Sequence, residues 1–234
     1  MFIIGNILKY IMTLLIDQIN SEIEKNSLLK HRFYQLWQEG KLTLDQLAGY
    51  SKEYYHLVKT VPHMVQNTLK NNSDPRNEKI IRGTLEEENE HVKPWKKFAS
   101  DLQVSAEDLN NHSPAPLTNA AITSLLKISE ASFIEGVAAM YAFEKELPKI
   151  SETKSEGLRK FYGLFDQSTH EYFDIHREVD IYHAQMWENI LNNSPKETHE
   201  KALSAAKVSL KAQNDLLDAV QKKYVDNNIY QTDQ

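Results

Sequence analysis

The stretch YFDIHREVDIYHA at residues 172–184 carries the strongest indication of both fold and chemistry. It lacks Gly and Pro, and its His176, Asp180 and His183 are spaced i, i+4 and i+7. In an α-helix of about 3.6 residues per turn these three side chains share one face. Two imidazoles and a carboxylate on one face can bind iron, manganese or zinc. The alternative is a solvated polar face of the helix.

The rest of the chain also has the composition of a helical protein. Only seven Gly and seven Pro occur among 234 residues. The stretches between them are rich in Leu, Lys, Glu and Ala, which favour helix. We find no convincing strand pattern and no internal repeat. We therefore expect an all-α fold, a bundle of about seven helices in a single domain over residues 1–234.

Local signals place the predicted helices. Thr43, with Gln46 three residues later, has the pattern of a capping box. Asp74-Pro75 reads as a cap followed by proline at the first helical position, and Pro62 predicts a kink. The stretch 131–143 is apolar on nearly all sides and predicts a buried central helix. The first two helices are expected at 14–37 and 43–69, and the third begins at 75 and ends before a loop at 103–118. The last four are expected at 119–147, 152–164, 170–191 and 196–224.

Composition narrows the classes of function. The chain has no cysteine, which excludes a disulfide scaffold, a thiolate metal site and a cysteine nucleophile. A net charge of −6 without a Lys/Arg block argues against nucleic acid as the main partner. Residues 1–16 are apolar but interrupted by Asn6 and Lys9, and shorter than the ~20 residues of a membrane span. They also lack the features of a secretory signal. We expect a cytoplasmic protein, with secretion into a host left open.

The two ends of the chain are not assigned to the predicted helix bundle. Residues 1–13 are read in two ways: as an extension packed on the bundle or on a second subunit, or as sequence that precedes a true start at Met12. Residues 226–234 are polar and are expected to form a flexible tail.

Other predicted helices carry residues that could complete a metal site. Glu144 follows the apolar run at 136–143, and a buried carboxylate is costly unless it is paired or bound to metal. Alternatively, it reaches water at the helix end near Pro148. Glu87 and His91 are spaced i, i+4, although an acidic run is often an exposed helix end. Together with the three residues on the 172–184 helix, they make a plausible ligand set for two bridged metals in a bundle core.

Four stretches carry a family resemblance, which covers roughly residues 16–219. The chain resembles the haem-oxygenase-like diiron proteins, and most closely the group of the Chlamydia protein associating with death domains and its bacterial relatives. The 172–184 helix and the GVAA-x-Y-x-x-E segment are specific only in combination. The matching stretches are HRFYQLWQEGKLTLDQLAGYSKEYYH (31–56), LEEENEHVKPWKKF (85–98), GVAAMYAFEKELPKI (136–150) and YFDIHREVDIYHA (172–184).

The resemblance implies a seven-helix haem-oxygenase-like bundle that holds two Fe ions, or one Mn and one Fe. It implies metal ligands at Glu87, His91, Glu144, His176, Asp180 and His183. The family usually has three more residues between its acidic pair and the first histidine. The ligand in this chain could therefore also be Glu86, Glu88 or Glu90. A second departure is Phe143, where relatives can carry a tyrosine.

The resemblance also implies an activity. Relatives form p-aminobenzoate for folate synthesis, with dioxygen and an external reductant as co-substrates, and consume one of their own tyrosines as the carbon source. The matching tyrosine is Tyr34, Lys154 matches the implied source of the amine, and Tyr50 matches a further tyrosine of the site. From the residues alone, Tyr34 would be read as core packing in an amphipathic helix.

Three other functions stay open. One is a diiron oxidase or oxygenase acting on an external small molecule, such as a fatty acid or an amine. Another is cofactor-independent or hydrolytic chemistry, as in the pyrroloquinoline-quinone-synthesis and thiamin-salvage branches of the fold, although the thiamin branch generally uses a cysteine. A third is an effector that binds host death-domain proteins. The resemblance further implies a homodimer.

Overall fold

The computed structural model describes residues 14–226, and within them every regular element is helical, which confirms the all-α expectation. Short 3₁₀ turns lie at Leu28–Lys30 and Lys196–Thr198, and a π-helical turn at Gln221–Asp226. The α-helices are α1 (Leu15–Lys25), α2 (Arg32–Gln38), α3 (Leu44–Lys70), α4 (Pro75–Asp101), α5 (Ala106–Asn111), α6 (Pro116–Ala131), α7 (Phe133–Glu144), α8 (Leu147–Tyr162), α9 (Gln167–Asn192) and α10 (His199–Val220).

The helix boundaries differ from the predicted ones in several places; the predicted fifth helix, for example, begins at Leu147 and not at 152. Three of the differences change the number of helices. The predicted first helix is divided into α1 and α2 by the 3₁₀ turn. The predicted loop at 103–118 contains α5, which begins with a capping box between Ser105 and Asp108. The predicted fourth helix is divided into α6 and α7 because Ser132 is extended and its hydroxyl accepts a hydrogen bond from the backbone of Glu135. In each case a cap or turn interrupts an otherwise helical composition.

Other predicted caps are confirmed. The Thr43 hydroxyl accepts from the backbone of Gln46 while the Gln46 side chain accepts from the Thr43 backbone. The Asp74 carboxylate accepts from the backbone N–H of Arg76 at the start of α4. Pro62 lies inside α3, which continues through it to Lys70.

The buried centre of the bundle is α7, as predicted. Residues 136–144 are all buried, and α7 contacts α3, α6, α9 and α10. Helix α9 in turn contacts α4, α7 and α8. The helices that carry the predicted ligands therefore lie side by side, with α9 between α4 and α7.

The expectations for residues 1–13, Met12 included, fall outside the described residues, as does the tail beyond Asp226. Among residues 14–226, no helix combines the length and the apolar character that crossing a membrane requires.

Helices α2 and α8 approach closely at Gly157. A Cβ atom built there would lie 2.7 Å from Cδ1 and 2.9 Å from Nε1 of Trp37, which is 1% exposed. Because the indole also donates to the backbone carbonyl of Lys154 at 3.2 Å, it has little freedom to move. We expect Gly157→Ala to lower the free energy of unfolding by about 1–3 kcal/mol, measured by urea denaturation followed by circular dichroism.

Gly83→Ala is the matched control, since Gly83 lies inside α4 and a Cβ atom there meets no heavy atom within 4 Å. The free energy of unfolding of this variant should rise by up to about 1 kcal/mol, because alanine has a higher helix propensity than glycine. Similar stabilisation of the two variants would contradict the close approach at Trp37.

Candidate metal centre

Five of the six predicted metal ligands are buried together where α4, α7 and α9 meet. All five side chains belong to residues that are no more than 5% exposed, and each helix contributes at least one of them. The five are His91 on α4, Glu144 on α7, and His176, Asp180 and His183 on α9.

Glu87 and Glu88 occupy different places in this arrangement. The Glu87 side chain is 55% exposed and lies at the rim of the cluster. Glu88, one of the alternatives left open by the spacing, is 4% exposed. It lies within 4.8 Å of donor atoms in two groups, one with His91 and His176 and the other with Asp180 and His183. A carboxylate shared by two groups can bridge two cations.

The Glu144 carboxylate extends the second group. It is 1% exposed, so the alternative of a solvated helix end does not apply. Its Oε2 accepts a hydrogen bond of 2.7 Å from the indole N–H of Trp187 and lies 3.9 Å from Nδ1 of His183. The indole thus holds Oε2, while Oε1 is buried without a hydrogen-bond partner.

Unsatisfied buried atoms make the cluster a candidate cation site. Within residues 14–226, six buried side-chain N and O atoms lack a hydrogen-bond partner, and five of them belong here. An unsatisfied buried polar group costs about 1–3 kcal/mol. Imidazole nitrogens and carboxylate oxygens without donors between them fit iron or manganese ions. The five atoms are Nδ1 of His91, Oε1 of Glu144, both carboxylate oxygens of Asp180, and Nδ1 of His183.

Hydrogen bonds orient two of the histidines. The Nδ1–H of His176 donates to the backbone carbonyl of Tyr172 at 2.7 Å, which leaves Nε2 free as a ligand. The Nε2–H of His183 donates to the Glu87 carboxylate at 2.7 Å, which leaves Nδ1 at 3.6 Å from the nearest buried carboxylate oxygens. Partners of this kind fix the ring and tautomer of metal-binding histidines. Glu87 therefore orients His183.

The electrostatics of the cluster also favour a cation. Burial raises the pKa of Glu144 well above its usual value and raises that of Asp180. Burial opposes the ionisation of Glu88 as well, but nearby histidines outweigh it and lower the pKa of that carboxyl. For His183, burial acts to lower the pKa, yet the surrounding carboxylates raise it to about 10. A bound metal would replace the protons that these groups carry in its absence.

The three predicted catalytic residues form a second buried cluster. Nζ of Lys154 donates to the Tyr50 hydroxyl at 2.7 Å, and the Tyr50 and Tyr34 hydroxyls are 3.4 Å apart. The Lys154 Nζ lies 4.5 Å from the Tyr34 ring centroid. Burial lowers the pKa of Lys154 well below its usual value and raises the pKa of both tyrosines. Burial therefore favours the neutral amine and the protonated phenols.

Three aromatic residues between the clusters were missed by the sequence analysis. Tyr54, Trp95 and Tyr172 are buried and contact residues of one cluster or the other. Their spacing in the sequence could have identified them, because each lies four residues along its helix from a predicted site residue. Tyr54 lies four residues after Tyr50, Trp95 four after His91, and Tyr172 four before His176. Trp187, which holds Glu144, was also missed, and it lies four residues after His183.

The chain is similar to proteins of known family. The model of the TENA/THI-4/PQQC family matches residues 19–222. The chain is 30% identical over 197 residues to the 4-aminobenzoate synthase of Chlamydia muridarum, covering 82% of this chain and 84% of that protein. It is also 30% identical over 229 residues to the 4-aminobenzoate synthase of Nitrosomonas europaea, covering 91% and 93%.

The fold is similar to that of a domain of unknown function with a haem-oxygenase-like fold from Shewanella denitrificans. The TM-score is 0.74 at 18% identity, with 94% of this chain and 93% of that chain covered. This similarity confirms the haem-oxygenase-like architecture that the resemblance implied.

The placement of the two neighbouring glutamates can be tested by metal binding. We expect Glu88→Gln to lose at least one of about two metals per chain, because it removes the carboxylate shared by both groups. We expect Glu87→Gln to keep both sites with affinity lowered about 10–100-fold, because it weakens only the orientation of His183. Anaerobic titration of the metal-free protein with Fe(II) or Mn(II) measures both. A greater loss in Glu87→Gln would assign the ligand to Glu87.

The buried amine predicts a pH-dependent stability. Because its folded pKa is lowered, Lys154 destabilises the fold below its ordinary pKa of 10.5; the cost grows as pH falls and levels off below the folded pKa. We expect Lys154→Met to raise the free energy of unfolding of the metal-free protein near neutral pH. The gain should shrink as pH approaches 10.5. Urea unfolding across this range measures it.

Lys149→Met is the control for this prediction, because Lys149 is exposed on the same helix. It should change stability little at any of these pH values. A gain for Lys154→Met that is independent of pH would show that packing, rather than the buried amine, controls stability at this position.

Proposed function

The chain belongs to the TENA/THI-4/PQQC family, and from this premise we propose that it is a 4-aminobenzoate synthase that consumes its own Tyr34. It would hold two Fe ions, or one Mn and one Fe, and use dioxygen with an external reductant. One observation carries the proposal: the buried amine of Lys154 lies 4.5 Å from the centroid of the Tyr34 ring, in the same core as a ligand cluster with unsatisfied buried atoms. The similarity to two 4-aminobenzoate synthases supports it.

The buried cluster would hold the metal pair, with Glu88 as the carboxylate shared by both ligand groups and Glu87 as the partner that orients His183. When bound, the pair supplies the redox chemistry by which dioxygen is activated. The remaining ligands in the proposal are His91, Glu144, His176, Asp180 and His183.

The geometry of the second cluster suits the product. 4-Aminobenzoate carries its nitrogen para to its carboxyl carbon, and tyrosine carries its phenol oxygen para to Cβ. To give the product, the phenol oxygen of Tyr34 would leave as water as Nζ takes its place on the ring, and the Cε–Nζ bond of Lys154 would break. The Cα–Cβ bond of Tyr34 would also break, with dioxygen oxidising Cβ to the carboxyl group. The ring itself is not rearranged. The Nζ of Lys154 lies 4.5 Å from the centroid of the Tyr34 ring. Burial favours its neutral form, which has the lone pair needed to form a C–N bond.

The walls of this cluster keep the reacting groups in place. The Tyr50 hydroxyl accepts from Nζ of Lys154, and the Trp37 indole donates to the backbone carbonyl of the same lysine. The Lys154 Nζ also lies 4.9 Å from the Tyr54 ring centroid and 5.8 Å from that of Phe173. These rings exclude water from the amine and favour its neutral form.

Isotope labelling tests the carbon source directly. The full chain is produced with ring-¹³C tyrosine, loaded with Fe(II) or with Mn(II) and Fe(II), given unlabelled reductant and exposed to oxygen. We expect ¹³C-labelled 4-aminobenzoate, no more than one per chain because Tyr34 is used once, and a matching mass change in the peptide that contains Tyr34. Mass spectrometry measures both.

Tyr34→Phe should reduce the product to background. Tyr55→Phe is the matched control, since Tyr55 is equally buried but makes none of the ring contacts of the Lys154 cluster; it should keep the yield. Unlabelled product formed over many turnovers would instead indicate an oxygenase that acts on an external small molecule. Labelled product at the parent level from Tyr34→Phe would assign another tyrosine as the source.

A further inference from the structure

A narrow crevice lies between α2 and α8 and reaches from the protein surface to the Lys154 cluster of Tyr34, Tyr50 and Lys154. Two of these residues line it together with side chains of greater exposure. The space between the lining side chains is too narrow to admit a water molecule. We call this crevice the α2–α8 seam; its lining residues include Leu29, Tyr34, Trp37, Gln38, Thr153 and Lys154.

The seam is the side of the cluster that has exposed side chains. Gln38 is exposed and Thr153 is half-buried. On other sides, the Lys154 Nζ lies 5.1, 4.9 and 5.8 Å from three ring centroids, and the residues that carry these rings are no more than 3% exposed. None of the three lines the seam. The three rings belong to Tyr50, Tyr54 and Phe173.

We propose that the α2–α8 seam is the opening between the Lys154 cluster and solvent, and the route by which 4-aminobenzoate leaves the core. The side chains of Gln38 and Thr153 would move to open it. The inference rests on the proposed function, because it assigns the path taken by the product of that reaction.

The charge of the product favours its departure. 4-Aminobenzoate carries a carboxylate at neutral pH, and a buried carboxylate is costly without a cation or hydrogen-bond donors. Lys154 is the amine that lies over the Tyr34 ring, and in the proposed reaction its nitrogen becomes part of the product. The aromatic rings that remain around the cluster offer no positive charge to retain the anion.

The lining residues differ in how firmly they are held. Trp37 is fixed by its hydrogen bond to the Lys154 carbonyl and by its close approach to Gly157. Gln38 is the last residue of α2, and its side chain makes no hydrogen bond or ion pair with another described residue. The Thr153 hydroxyl donates to the backbone carbonyl of Lys149 within α8, at 2.8 Å. Rotation of these two side chains therefore widens the seam without breaking a hydrogen bond between α2 and α8.

A seam that is closed before the reaction also suits the amine. Water at Lys154 would favour the charged form of its side chain, which lacks the lone pair needed to form a C–N bond. The closed seam excludes that water, so the opening is needed only once the product has formed.

A single engineered cysteine tests the route, because the chain has no cysteine of its own. Gln38→Cys is labelled with a bulky maleimide, loaded with metal, given reductant and mixed with oxygen. At each time point one sample is filtered in the native state and another is quenched in acid, and mass spectrometry measures 4-aminobenzoate in both. We expect the parent to release product as it forms, whereas release from the labelled variant should be slower than formation by about tenfold or more.

Gln35→Cys with the same label is the matched control, since Gln35 is exposed on the same helix but does not line the seam. It should release product as the parent does. Thr153→Phe narrows the seam from the α8 side and should delay release as the labelled Gln38→Cys does. Circular dichroism and metal content establish that each variant keeps the fold and the ligand cluster.

A second measurement does not require the reaction. Formaldehyde with a mild hydride donor methylates neutral amines, and peptide mass mapping of the metal-free protein measures methylation at Lys154. We expect labelled Gln38→Cys to slow this methylation by about tenfold, because reagents reach a buried group through local opening. Gln38→Ala should make it faster than in the parent, and Gln35→Ala should leave it unchanged.

The outcomes distinguish the seam from the proposed function. Product that leaves both labelled Gln38→Cys and Thr153→Phe at the parent rate would overturn the seam as the exit and leave the synthase standing. Methylation of Lys154 that depends on Gln38, in a parent that forms no 4-aminobenzoate, would support the seam as the opening to the cluster and overturn the synthase. Methylation that is independent of Gln38, in a parent that forms no product, would overturn both.

Discussion

Buried carboxylates and imidazoles without hydrogen-bond partners are the constraint on which the rest of the structure depends. Both oxygens of Asp180 and one of Glu144 lie in the core unsatisfied, next to histidine nitrogens in the same condition. A fold that places such atoms together is destabilised unless a cation or protons occupy the space between them. Helices α4, α7 and α9 pack so that their candidate ligand side chains meet at one point.

Two buried clusters with opposite electrostatic character share this core. Around Asp180 and Glu144, carboxyl groups lie beside a histidine, an arrangement that favours protons or a cation. Around Lys154, aromatic rings and hydroxyls surround an amine without a carboxylate partner among the hydrogen bonds and ion pairs of the described residues, and burial lowers the pKa of this amine. The rings of Tyr54, Trp95 and Tyr172 lie between the two. They separate the two clusters and contact residues of both.

The positioning of the ligands depends on a surrounding set of hydrogen bonds as much as on the ligands themselves. Trp187 holds one oxygen of Glu144, the backbone carbonyl of Tyr172 holds His176, and Glu87 holds His183. Such partners decide which atom of each side chain faces a metal. Glu87 thus contributes to the cluster from its exposed rim, without being buried in it.

Much of this protein follows from its sequence, because helix caps, apolar runs and the period of the helix act over a few residues. These local rules determined the caps at Thr43 and Asp74, the buried α7, and the shared face of His176, Asp180 and His183. They could not predict which of Glu87 and Glu88 is buried, since both lie within one turn of His91. Only the tertiary structure decided this, because neighbours on a helix point about 100° apart and the packing of α9 on α4 buries just one of them. The contacts of Trp95 with Tyr54 and Tyr172 were likewise decided by packing, since these residues lie on α4, α3 and α9 and are far apart in the chain.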